Sequence, residues 1–238
     1  SIRETPSSAV MKSTFFLLTL LFTVFCGAAE PDASLLTGLT FEDRSANPVD
    51  SSGTKTKTTL IGRAGYGMGV QAASAIKLVD GAHLKLENRK AYSKETQAMT
   101  VAFCTKAAAF PASSRLVQKG VAGEEWQIEI NYKGEFVWSV FTKKPVTVYT
   151  RPPAINAWVH IAVTYERGIG RVYFDGKQAN TRTIETPGEI YYSRHPVIIG
   201  GGWDTSEQTV SPYAGYFDDF RLYNRALTVE EIGALAKR

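Results

Sequence analysis

From residue 35 to residue 223 the sequence is a succession of short runs rich in Val, Ile, Tyr, Phe and Thr, each closed by turn-forming residues. Nothing else in the chain restricts its fold as strongly. The runs predict β-strands over residues 35–41, 75–78, 99–105, 115–119, 126–132, 135–142, 146–149, 158–165, 170–174, 197–200 and 213–223. Turns fall at Asp50-Ser51-Ser52-Gly53, Asp80-Gly81, Lys133-Gly134, Arg167-Gly168 and Asp175-Gly176, and the last of these suits a tight hairpin because both residues accept positive φ. Residues 126–132 alternate, which places Trp126, Ile128, Ile130 and Tyr132 inward and Gln127, Glu129 and Asn131 outward, as an antiparallel sheet with one wet face requires. Residues 158–165 are apolar almost throughout, which predicts a central strand with Trp158 in the core. In residues 217–221 the period places Asp218 and Phe220 on one side and Asp219 and Arg221 on the other. One helix is predicted, at the end: Thr228 and Glu231 form a capping box ahead of Ile232 and Leu235. The pattern as a whole predicts an all-β fold, a two-sheet antiparallel jelly-roll sandwich with a short C-terminal helix.

The first 29 residues have a different character. Met11 and Lys12 precede an apolar run from Phe15 to Phe25, followed by Gly27, Ala28 and Ala29. This order reads as a secretory signal peptide over residues 11–29, cleaved after Ala29, with residues 1–10 as an upstream extension. The run is about half the ~20 apolar residues that a membrane-spanning helix needs. The expected product is one domain, residues 30–238, secreted or periplasmic and without membrane insertion. Of the two cysteines only Cys104 would remain, inside an apolar stretch, which predicts a buried structural thiol and no internal disulfide. The formal charge of +4 is spread along the chain without Lys/Arg clusters, which argues against nucleic acid as a partner.

Four stretches share a further likeness: residues 35–43 with 50–53, residues 157–165, residues 170–177 and residues 213–232. Leu35-Leu36-Thr37-Gly38-Leu39-Thr40-Phe41-Glu42-Asp43 opens the series. Tyr213-Ala214-Gly215-Tyr216-Phe217-Asp218-Asp219-Phe220-Arg221-Leu222-Tyr223 and the residues after it close the series and are its most specific part. In this order and spacing the chain resembles the laminin-G-like, concanavalin A-like jelly-roll family of secreted modules. The resemblance implies a structural Ca²⁺ held by Asp43, Asp50, the Gly53 carbonyl and one of the Asp218/Asp219 pair, with Asp219 favoured. Calcium takes six to eight oxygens from such groups. The alternative is that Asp50 merely starts an Asx turn, that Asp43 is a solvated loop residue, and that Asp219 pairs with Arg221.

A second candidate site is an aromatic platform. Trp203 stands in the glycine-rich segment Gly200-Gly201-Gly202, next to Asp204, and Tyr191, Tyr192 and Arg194 precede the neighbouring strand together with His195. Aromatic faces beside polar groups suit sugar rings; the alternative is that Trp203 folds back onto the sandwich edge. Catalytic signatures are not found. Glu124, Glu125 and Glu129 lack the spacing of a glycosidase carboxylate pair, and His83, His160 and His195 are too dispersed for a metal. His160 reads as a hydrogen-bonded histidine of its strand. The function expected from the family likeness is therefore non-enzymatic recognition of a glycan. The alternatives are adhesion to an extracellular protein and a cryptic glycoside hydrolase.

Overall fold

A computed structural model describes residues 32–92, 97–204, 206 and 208–237, so the expected signal segment and its cleavage site lie outside the described residues. The described chain contains seventeen strands. In chain order these are β1 (Leu35–Leu39), β2 (Thr58–Ile61), β3 (Ala64–Met68), β4 (Ser74–Leu78), β5 (His83–Leu86), β6 (Ala98–Lys106), β7 (Ser114–Lys119), β8 (Trp126–Ile130) and β9 (Phe136–Val140). Then follow β10 (Val146–Thr150), β11 (Val159–Glu166), β12 (Ile169–Phe174), β13 (Lys177–Thr183), β14 (Val197–Ile199), β15 (Gly202–Trp203), β16 (Thr209–Val210) and β17 (Gly215–Tyr223). One eight-stranded antiparallel sheet has the order β13-β12-β11-β6-β17-β4-β3, with β1 also on β17, and a seven-stranded sheet has the order β10-β9-β8-β7-β14-β5-β2. The expected two-sheet jelly-roll sandwich is the observed architecture.

The core lies between the sheets. Val159, Ile161, Val163 and Tyr165 of β11 project into it beside Val101 and Phe103 of β6, and meet Trp126, Ile128, Trp138 and Val140 from the other sheet. The Trp126 and Trp138 rings lie 6.1 Å apart. The indole of Trp138 donates to the Thr164 carbonyl at 3.0 Å, so a large apolar ring is buried without leaving its polar end unpaired. The apolar character of residues 158–165 has a second cause. Ala162 of β11 faces Ala102 of β6 on the other side of the sheet, and these small residues, with Tyr173, seat the terminal helix α1 (Val229–Leu235) through Ile232 and Leu235. Thr228 and Glu231 form the expected capping box. The Asp175-Gly176 turn between β12 and β13 has φ of 48° and 77°, the left-handed pair that a two-residue hairpin requires.

Three expectations about orientation are corrected. Trp158 lies outside β11 and only half-buried, because its place in the alternation points away from the core. Tyr132 is 75% exposed, since β8 ends at Ile130 and the Asn131 side chain turns the chain by accepting from the amides of Lys133 and Glu135. In β17 both Asp218 and Asp219 face away from the core while Phe217 and Phe220 enter it. A bulge between Asp218 and Arg221, with Asp219 at φ 45°, resets the two-residue period there.

Candidate functional site

The expected platform is built by the small hairpin β15–β16, which lies against β7. The Trp203 amide donates to Gln118 Oε1 at 3.0 Å. A Cβ at Gly202 would overlap that amide oxygen and the Arg115 side chain, so only glycine lets the hairpin approach so closely. His195 meets Trp203 edge-on, with ring centroids 5.7 Å apart, and Lys85 Nζ sits 4.5 Å above the indole. Trp203 therefore packs against the sandwich edge, with one face and one edge already covered. Asp204 accepts from the amides of Ser206 and Gln208 and closes the hairpin turn. Tyr192 accepts from Asn88 and stands 5.7 Å from Lys119 Nζ, whereas Tyr191 and Arg194 point to solvent. The structure thus groups Trp203 with His195 and Lys85, and uses Asp204 as a turn residue.

A buried ion pair anchors this region. Lys119 Nζ lies 2.7 Å from Glu125 Oε1, with both side chains fully buried, and also donates to the His195 carbonyl. The same Glu125 oxygen accepts from the amide and hydroxyl of Ser193. Burial holds the Lys119 pKa below its ordinary value, against the opposing pull of Glu125. Glu129 pairs with Arg115 at 3.5 Å. Two of the three acids weighed as catalytic, Glu125 and Glu129, are thereby occupied.

The four positions of the calcium set occupy separate places. Asp50 Oδ1 accepts from the amides of Gly38 and Ser52, and Oδ2 from the Thr56 amide and the Thr54 hydroxyl. These donors hold its carboxyl below the usual range despite burial, which acts in the opposite direction. Asp43 accepts from the Val49 amide, and Gly53 occupies an exposed turn at φ 89°. Asp219 binds Arg221 at 2.6 Å in a different recess, of about 280 Å³, shared with Glu42, Cys104 and Asp218. Among the described residues no group of three or more His, Cys, Asp or Glu side chains is placed to hold a metal. The expected set does not fit one Ca²⁺, because Asp50 already has its lone pairs filled by the turn. Glu42, to which the sequence analysis assigned no role, lines the recess that holds Asp218 and Asp219.

Cys104, which lines that recess, has His160 as its direct cross-strand neighbour. The pair carries no nucleophilic chemistry, because burial pushes the thiol up to about 12 and the imidazole down to about 4. The thiol stays protonated and the imidazole neutral at neutral pH.

A site missed in the sequence lies two residues farther along the same strands, on the same face of the sheet. Lys106 of β6, Tyr216 of β17 and Lys77 of β4 are consecutive cross-strand partners on the face turned away from the core. Trp158 reaches across to Tyr216, with ring centroids 6.1 Å apart at 61°. Beside them opens a recess of about 290 Å³ lined also by Val79, Ala107, Ala214 and Asn156. Gly215 also lines it, where a Cβ would collide with Tyr213 and the Lys106 carbonyl. Both aromatic rings are half-exposed. The signal was present in the sequence, since Trp158 and Tyr216 each stand one residue from a core position, but one strand's alternation does not say which rings meet across a sheet.

A laminin-G-type family model, described as the concanavalin A-like lectin/glucanases superfamily, matches residues 79–233, and the chain belongs to that superfamily. Among curated protein sequences none matches it. Its fold is similar to domain 4 of AbnA, an extracellular GH43 arabinanase from Geobacillus stearothermophilus, solved with arabinotriose. The TM-score is 0.68 at 18% identity, over 85% of this chain and 98% of that one. It is also similar to the binding domain of Paraclostridial Mosquitocidal Protein 1, with a TM-score of 0.68 at 18% identity over 85% of this chain and 52% of that one. A third likeness is to the binding domain of botulinum neurotoxin DC, solved with rat synaptotagmin II, with a TM-score of 0.68 at 14% identity over 86% and 51%. The chain spans about half the length of these toxin domains. At such identities the likeness establishes the fold, a lectin/glucanase-like β-sandwich.

Proposed function

We propose that this protein is a secreted or periplasmic glycan-binding module without catalytic activity, and that it holds its ligand at the Trp158–Tyr216 recess. The observation that carries this reading is a pair of half-exposed aromatic rings in contact beside an open recess, with polar groups at its rim. Aromatic faces take the apolar side of a sugar ring while nearby donors fix its hydroxyls. The arabinotriose complex of AbnA domain 4 supports a sugar ligand for a chain of this fold. Residues 11–29, with the features of a signal peptide, support an extracytoplasmic location. The test is retention on a glycan array by the wild type and by the Trp158→Ala and Trp203→Ala variants. Trp158→Ala is expected to weaken retention by about tenfold, equivalent to about 1.4 kcal/mol, with Trp203→Ala close to wild type. The proposal is lost if no glycan is retained, or if only Trp203→Ala abolishes retention.

A further inference from the structure

We infer that the Trp158–Tyr216 recess selects acidic sugars, that is, sugar rings carrying a carboxylate or a sulfate. The inference rests on the reading of the recess as a glycan site and adds the class of glycan. Lys77 and Lys106 flank Tyr216 in adjacent strands on either side, about 10 Å apart across two strand spacings. Lys77 Nζ stands 5.5 Å from the centre of the Tyr216 ring. Among the described residues no carboxylate lies within ion-pairing distance of either ammonium group, although six other ion pairs form elsewhere on the molecule. One cation over the Tyr216 ring and a second on the adjacent strand lining the same recess, neither with a counterion, form a seat for an anion beside that ring. Ring stacking and charge then act on the same ligand.

The recess volume of about 290 Å³ is at the small end of ligand pockets, sized for one ring and its substituents. An acidic peptide is the other anionic polymer to consider, and extended peptides bind by adding to a sheet edge. Here β17 is paired on both sides, with β6 and β4, so no edge is offered.

The experiment is calorimetric titration of the full chain with four probes: trigalacturonate, its fully methyl-esterified form, a sulfated galactan tetrasaccharide, and a hexaglutamate peptide. Trigalacturonate, the sulfated tetrasaccharide or both should bind at least tenfold more tightly than the neutral ester, and which of them binds identifies the acidic group. The preference should shrink as salt is raised. The double variant Lys77→Gln/Lys106→Gln should lose the preference yet keep the weak binding of the ester, and Trp158→Ala should weaken all sugars alike. If the ester binds as well as the acid, the charge inference fails while the glycan reading stands. If none of the sugar probes binds, the charge inference fails and the glycan reading is decided by the array; if hexaglutamate binds as tightly as the acids, the inference fails together with that reading.

Discussion

At the scale of single residues, four tryptophans divide by what their rings touch. Trp126 and Trp138 are fully buried and in mutual contact, whereas Trp158 is half-exposed against Tyr216 and Trp203 has Lys85 over its face and His195 edge-on. Emptying a buried tryptophan site typically costs about 3–5 kcal/mol, so Trp138→Ala is expected to fall in that range. It would also strand the Thr164 carbonyl that the indole now satisfies. Trp158→Ala removes a partly solvated ring and is expected to cost about 1 kcal/mol or less. Urea midpoints of the two variants check this, and equal losses would show that Trp158 is a core residue after all. The sequence could not separate them: Trp126 and Trp138 stand in alternating or apolar strands, and Trp158 opens a run that is apolar on both sides. That second apolar side exists because Ala162 and Ala102 receive the terminal helix, a contact between residues far apart in the chain.

At the scale of elements, what could be read depended mostly on whether a strand buries a face, although the four-residue β5 buries Leu84 and Leu86 and was still too short to stand out. The strands read most closely, β6, β7, β11, β12 and β14, are those whose residues fill the space between the sheets. β13 escaped because all seven of its residues are exposed at a sheet edge, so it has no apolar period to detect. β3, with Gly65 and Gly67, and the two-residue strands β15 and β16 carry too little pattern. The Asp218–Asp219 bulge likewise leaves no mark in the sequence, and it inverted the expected facing of Phe220. The loop that carries Tyr192 and His195 is fixed by an ion pair which the sequence disguises, since Lys119 reads as a surface residue. Breaking a buried pair by removing one partner typically costs about 3–5 kcal/mol, whereas replacing both by apolar residues is far milder. Lys119→Met alone and Glu125→Leu alone are therefore each expected to destabilise by about that amount. The double variant should lose clearly less than the sum, tempered by the two Ser193 donors left without Glu125. Additive losses in denaturant titrations would mean that the two charges do not depend on each other.

At the scale of the whole molecule, stability against pH is set by groups whose shifts oppose one another. Burial raises Asp218 to about 6, reinforced by the charges of Asp219 and Glu42 and resisted by the amides of Val70 and Asp219. The native state then keeps a proton that the unfolded chain, titrating near 3.8, has released. Asp218 thus makes stability fall as pH rises from about 4 to about 6. Burial lowers His160 to about 4, against the attraction of Asp219 and Asp175 and with help from Arg221. Here the unfolded chain, titrating near 6.5, takes up a proton that the native state refuses, so stability falls as pH drops from about 6.5 to about 4. Between pH 4 and 6 the two slopes have opposite signs and partly cancel in the wild type. Each can be exposed by removing the other. Relative to wild type, Asp218→Asn is expected to gain stability steadily as pH rises through this window, because it sheds the term that penalises deprotonation. His160→Gln is expected to show the reverse, gaining most at the acid end. Urea midpoints measured at pH 4, 5, 6 and 7 for the three proteins give the two differences directly, with shared titrations such as that of Asp50 cancelling out. Parallel pH profiles for all three would mean that neither group titrates in the native state as its burial requires. The recess around Cys104 would then be wetter than its geometry implies.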